Sequence, residues 1–123
     1  MLREYELTIV ANAHIGDEDS NRLFEKYEGI FLGKTGEIIR KDEWGVKRLA
    51  YPINKQFRAR YVHYDMATRP QDLAEAERLM RLDDNVLRFM AVRLADEVDV
   101  QARKIEIAKA EVNEEARQQR FEN

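Results

Sequence analysis

The chain has 123 residues, a formal net charge of −3 and no cysteine. This length suits one domain with its own core, and the lack of cysteine excludes disulfides and thiolate metal sites. No apolar run approaches the roughly 20 residues that span a bilayer, and the N-terminus lacks the pattern of a secretory signal. The sequence therefore predicts a cytoplasmic protein without a membrane partner.

The charges are unevenly distributed along the chain. Residues 40–60 carry seven cations and two acids, whereas residues 96–123 carry five cations and eight acids. A local basic stripe can bind phosphate on an acidic chain, because salt limits each charge to a range of about 8–10 Å. The alternative is a solvated strand pair whose cations deter edge-to-edge aggregation.

Hydrophobic periodicity predicts six elements before the acidic segment. In chain order they are strand 3–11, helix 17–33, strand 37–53, strand 58–66, helix 70–82 and strand 86–94. Asp17 or Asp19 is expected to cap the first helix, and Gly45 to bend the second strand, which Pro52 stops. The last strand is apolar except for two arginines, which is typical of a central strand.

The order strand, helix, strand, strand, helix, strand predicts an α+β fold of the ferredoxin-like type. Its four-stranded antiparallel sheet carries both helices on one face and leaves the other face open. Tyr61 and His63 are expected on the open face, because alternation places Val62 and Tyr64 on the other. The domain spans residues 1–95, and residues 96–123 form a charged tail, either a frayed helix or disordered.

The chain lacks the residue patterns of a catalytic, cofactor or metal site. His14 and His63 are the only histidines and have no metal-ligand spacing. Ser20 is the only serine, and the glycines do not form a phosphate loop. Acylphosphatase-like hydrolases place an arginine in the loop after the first strand, and none occurs here. We therefore expect a protein that is not an enzyme and binds no cofactor, metal or small-molecule substrate.

Single-strand readout of RNA is also disfavoured. The ferredoxin-like domains that read unpaired bases carry a lysine- or arginine-glycine-aromatic signature on a central strand, and neither central strand here has it. Basic side chains that grip a structured RNA by phosphate and shape remain possible.

Three stretches resemble the S-six family of the bacterial small ribosomal subunit. Residues 44–53 read WGVKRLAYPI, residues 84–90 read DNVLRFM, and Tyr5-Glu6 stands near the start. The resemblance covers residues 1–94. Tails in this family vary, and some end in a glutamate run that is extended enzymatically, whereas this chain ends in Arg120-Phe121-Glu122-Asn123.

The resemblance implies a structural ribosomal protein that binds the central domain of 16S rRNA jointly with the S-eighteen ribosomal protein. By position, the expected rRNA contacts are Lys47, Arg48 and Arg88, with Arg3 and Arg81 as lesser candidates. Tyr61 and His63 are expected on the face that meets the partner protein. The alternative is a ferredoxin-like ligand-sensing or self-association domain without RNA binding. A small hydrolase is a third hypothesis.

Overall fold

The computed structural model describes residues 2–122, and within them one antiparallel sheet carries the fold. The strands lie in the order β2-β3-β1-β4. The elements are β1 (Arg3–Asn12), α1 (Asp17–Leu32), β2 (Glu37–Ile53), β3 (Gln56–Thr68), α2 (Pro70–Leu82), β4 (Val86–Ala95) and α3 (Val100–Glu122). The ferredoxin-like arrangement expected from the sequence is confirmed.

The core lies between the sheet and the first two helices. β1 is central, paired with β3 on one side and β4 on the other. Leu7 and Ile9 of β1 are completely buried, as are Tyr27 and Phe31 of α1. Alternation in the strand and a 3.6-residue period in the helix bring these side chains to the same layer. The aromatic residues of α1 are therefore core.

The two helices begin in ways that the sequence predicted only in part. Pro70 opens α2, where its missing N–H costs nothing. The N-cap of α1 is Gly16, with no side-chain hydrogen bond, so the expectation that Asp17 or Asp19 caps this helix was wrong. Both carboxylates instead lie in the first turn, where they favourably meet the positive end of the helix dipole.

β4 is an edge strand, which corrects the expectation of a central one. The apolar composition of a strand does not distinguish a central strand from an edge strand that exposes apolar side chains. Met90, Val92 and Leu94 are indeed exposed. β2 forms the opposite edge, and its pairing with β3 continues into a hairpin whose turn residues Asn54 and Lys55 have positive φ angles.

The charged segment after β4 forms the long helix α3, which crosses part of the sheet face opposite α1 and α2. The Val98 N–H donates to the carbonyl of Leu2 before the helix begins. Arg103 then reaches Glu4 of β1, and Glu111 reaches Arg40 of β2. The face expected to be open is therefore partly covered. Asn123, the last residue of the expected tail, lies outside the described residues.

Candidate nucleic-acid interface

A β-bulge in β2 places Trp44 on the sheet face that α1 and α2 leave uncovered. The register with β3 shifts between Glu43 and Gly45, and Gly45 has a φ of +73°. Glycine accepts this left-handed conformation without strain, and a bulge of this kind re-aims the neighbouring side chain. Gly45 therefore lies at a bulge, at the position where the sequence predicted a bend in the strand.

Trp44 covers the two residues predicted to meet a partner protein. Its ring stacks on His63 at 5.6 Å between centroids with an interplanar angle of 8°, and on Tyr61 at 6.2 Å with 27°. His63 Nδ1 also forms a 2.8 Å hydrogen bond with Thr8 Oγ1 of β1. The three rings form a fixed aromatic surface, of which Trp44 remains about half exposed.

Lys47 continues this surface, whereas Arg48 does not. The Nζ of Lys47 lies 5.1 Å from the centroid of the Trp44 ring, which places a cation over its negative face. In the register, Lys47 faces Ala59 and Arg48 faces Arg58, so the two cations point to opposite sides of the hairpin. They are adjacent in sequence but reach different surroundings.

A groove of about 360 Å³ lies beside the aromatic surface, between the hairpin and strands β1 and β4. Arg88 and Tyr61 line it, together with the hairpin residues Leu49 and Tyr51. Arg88 is exposed and opposes Val10 in the register. The structure thus groups Lys47, Arg88, Tyr61 and His63 on one face.

The remaining two candidates lie elsewhere. Arg81, in the last turn of α2, holds its guanidinium 5.5 Å from the Phe89 ring and donates to Glu77 at 3.4 Å. Arg3 opposes Thr68, at the end of β1 away from Val10 and Arg88. Arg3 and Val10 are seven positions apart along β1, a distance of roughly 23 Å. Arg3 therefore cannot share a local contact with Arg88.

Two further groups on this face were missed by the sequence reasoning. One is the stacked ring of Trp44, for which the Trp-Gly pair inside a strand was the available signal. The other is a carboxylate pair, Glu4 and Asp65, with Arg103 of α3. Burial raises the pKa of Asp65 to about 7, the nearby Glu4 carboxylate adds to the rise, and Arg103 opposes it.

Across residues 2–122 there is no group of three or more histidine or acidic side chains placed to hold a metal ion. Among the helices described, none is both long enough and apolar enough to cross a membrane.

Comparison with known proteins identifies relatives of this chain. The family model described as Ribosomal protein S6 matches residues 4–93. A small ribosomal subunit protein bS6 from Geobacter metallireducens is 37% identical over 105 residues, which cover 85% of this chain and 89% of that protein. A bS6 from Desulfatibacillum aliphaticivorans is 37% identical over 109 residues, but the match spans only 59% of its length.

A solved structure agrees with the fold. The crystal structure of 30S ribosomal protein S6 from Thermotoga maritima superposes with a TM-score of 0.71 and covers 94% of this chain and 99% of that one. The sequence identity is 21%, so this likeness supports the ferredoxin-like architecture alone.

Proposed function

The chain belongs to the ribosomal protein S6 family, and from this premise we propose that it binds the central domain of 16S rRNA jointly with the S-eighteen ribosomal protein. As a member of this family it is a structural component of the small ribosomal subunit in the cytoplasm, and not an enzyme. One observation carries the proposal: cations and aromatic rings converge on a sheet face that the core does not need.

Lys47 and Arg88 are the proposed phosphate contacts on this face. Both are exposed, and they flank the aromatic surface and the groove. Each cation that replaces a condensed counterion on RNA strengthens binding in low salt. Arg48 points to the opposite side of the hairpin. It would contact only RNA that extends around to that side. Arg3 and Arg81 remain lesser candidates, because Arg3 is half-buried and Arg81 is engaged by Glu77.

The partner protein is proposed to cover the apolar part of the same face. Tyr51 is 83% exposed at the hairpin, and Met90 and Val92 are exposed on β4. Exposed apolar area concentrated beside polar groups is typical of a protein interface. Tyr61 and His63 lie on the same face, between the hairpin and β4. They would contact the partner protein at the ring edges that Trp44 leaves uncovered.

The test is a titration of a central-domain 16S rRNA fragment with this protein, with and without the S-eighteen protein. We expect weak binding alone and much tighter binding together, since few cations are available on one chain and phosphate contacts dominate affinity. Met90→Asp should weaken the joint complex, while Val112→Asp, at an exposed site on α3, serves as the matched control. Equal affinity with and without the partner protein would contradict the proposal.

A further inference from the structure

The partly covered sheet face has an acidic end that the proposed RNA contacts do not use. The side chains of Glu4 and Asp65 are 5% and 9% exposed, and the guanidinium of Arg103 lies 2.9 Å from the first carboxylate and 3.9 Å from the second. Two ionised carboxylates buried side by side are costly unless a cation compensates them or one of them keeps a proton. In this structure that cation is Arg103.

Arg103 satisfies this pair incompletely. Its Nε donates to Glu4 Oε2 at 2.9 Å, and its Nη1 turns away to Glu106 at 3.1 Å. Its Nη2 stays 3.9 Å from Asp65 Oδ2, beyond hydrogen-bonding distance. Among the described residues, the buried Asp65 Oδ1 has no hydrogen-bond partner. A guanidinium has five donors in a planar fork, so a better-placed one could bond to both carboxylates.

The attachment of α3 to the sheet is mostly polar. The ion pairs of Arg103 with Glu4 and of Glu111 with Arg40 tie it to β1 and β2, and Ile105 and Val112 on the same helix are exposed. A helix that buries little apolar area gains little stability from packing. Arg103 can therefore be displaced without opening the core.

We propose that Glu4 and Asp65 form a guanidinium-binding site for an arginine side chain of a basic protein partner, and that Arg103 occupies this site in the free chain. RNA does not fit here, because paired carboxylates repel phosphate. α3 then acts as an intramolecular competitor, which must move before the partner's arginine enters. This site lies apart from Lys47 and Arg88, and the proposal does not depend on rRNA as a ligand.

The test uses the full chain and tetra-arginine amide as the probe, with affinity measured by calorimetry at about pH 8.5, above the pKa of Asp65, and location by amide chemical shifts. We expect Arg103→Ala to bind the probe about tenfold more tightly than the unsubstituted chain, since the site is emptied and charge-assisted hydrogen bonds become available. Tetra-lysine amide should gain less, because an ammonium lacks the fork that spans two carboxylates.

Three further variants, each added to Arg103→Ala, make the test specific. Glu4→Gln and Asp65→Asn should each abolish the gain, while Glu115→Gln, an exposed acid on α3, should keep it. Asn has nearly the same shape as Asp, so Asp65→Asn should keep the fold. If circular dichroism shows that the Glu4→Gln variant is unfolded, the result for Asp65→Asn decides the test. Equal probe affinity of the unsubstituted and Arg103→Ala chains, or a gain that survives Asp65→Asn, would overturn the proposal.

Discussion

The two faces of the sheet are completed by different kinds of contact. The face toward α1 and α2 is closed by apolar side chains such as Leu7 and Phe31, both fully buried. The opposite face carries stacked rings, exposed cations and a buried carboxylate pair, and only α3 covers part of it. The first face therefore contains the apolar core, and the second is completed by polar contacts that can change while the core stays closed.

Removal of a buried side chain should have the largest effect. Leu7→Ala leaves a cavity beneath both helices and should lower the free energy of unfolding by about 2–5 kcal/mol. Met90 lies on the neighbouring strand with 56% of its surface exposed, so Met90→Ala should change it by less than about 0.5 kcal/mol. Urea denaturation measures both, and similar losses would contradict the division between the faces.

Arg103→Ala should have the next largest effect, because it leaves Glu4 buried without its hydrogen-bond donor. We expect a loss of about 1–3 kcal/mol in the free energy of unfolding. Arg117, exposed on the same helix, provides the control, and Arg117→Ala should have no measurable effect. If both variants unfold at the same urea concentration, α3 does not stabilise the uncovered face.

The raised pKa of Asp65 predicts a pH dependence of stability. The unfolded carboxyl releases its proton near pH 3.8, whereas the folded one keeps it to about pH 7. The folded state thus binds more protons in this window, and the free energy of unfolding should fall by up to about 1.4 kcal/mol per pH unit as the pH rises through it.

Asp65→Asn tests the assignment of this pH dependence. The substitution should flatten the dependence of the free energy of unfolding on pH between pH 4 and pH 7. The variant should therefore become more stable relative to the unsubstituted chain as the pH rises. Asp96→Asn, at an exposed site after β4, should keep the slope. Urea titrations at several pH values measure it, and an unchanged slope in Asp65→Asn would assign the dependence to other groups.

These differences between the faces explain how far the sequence could predict the molecule. The period of two in β1 and of 3.6 in α1 is local, so Leu7 and Tyr27 could be assigned to the core. Arg103 and Glu4 are 99 positions apart, and no local pattern connects them. The direction of the Trp44 side chain depends on a bulge in β2. The edge position of β4 depends on the order of strands in the sheet, and the composition of β4 does not encode that order.

Two glycines allow a matched comparison of a helix with the bulge. Neither Gly29 in α1 nor Gly45 in β2 has an atom within 4 Å of an added Cβ, so only backbone conformation differs. Gly29→Ala should raise the free energy of unfolding by about 0.5–1 kcal/mol. Gly45→Ala should lower it by about 1 kcal/mol because of its positive φ. Thermal unfolding measures both changes. If Gly45→Ala also raised the free energy of unfolding, the backbone of the bulge would have to adopt a conformation that alanine tolerates.

Lys47→Ala and Arg48→Ala should have the smallest effect on stability, below about 0.5 kcal/mol each, and the clearest effect on RNA binding. If Lys47 contacts phosphate, its loss should reduce the slope of log affinity against log salt for the joint rRNA complex by about one unit or less. Lys34→Ala, outside the hairpin, should leave the slope unchanged.

The two cations separate the possible paths of the RNA, because they point to opposite sides of the hairpin. A reduced slope in Lys47→Ala alone places the RNA on the aromatic surface beside Trp44. A reduced slope in Arg48→Ala alone places it on the other side, and a reduction in both means that the RNA wraps the hairpin. An unchanged slope in both variants, even when combined, would remove the hairpin cations from the interface and leave Arg88 to carry it.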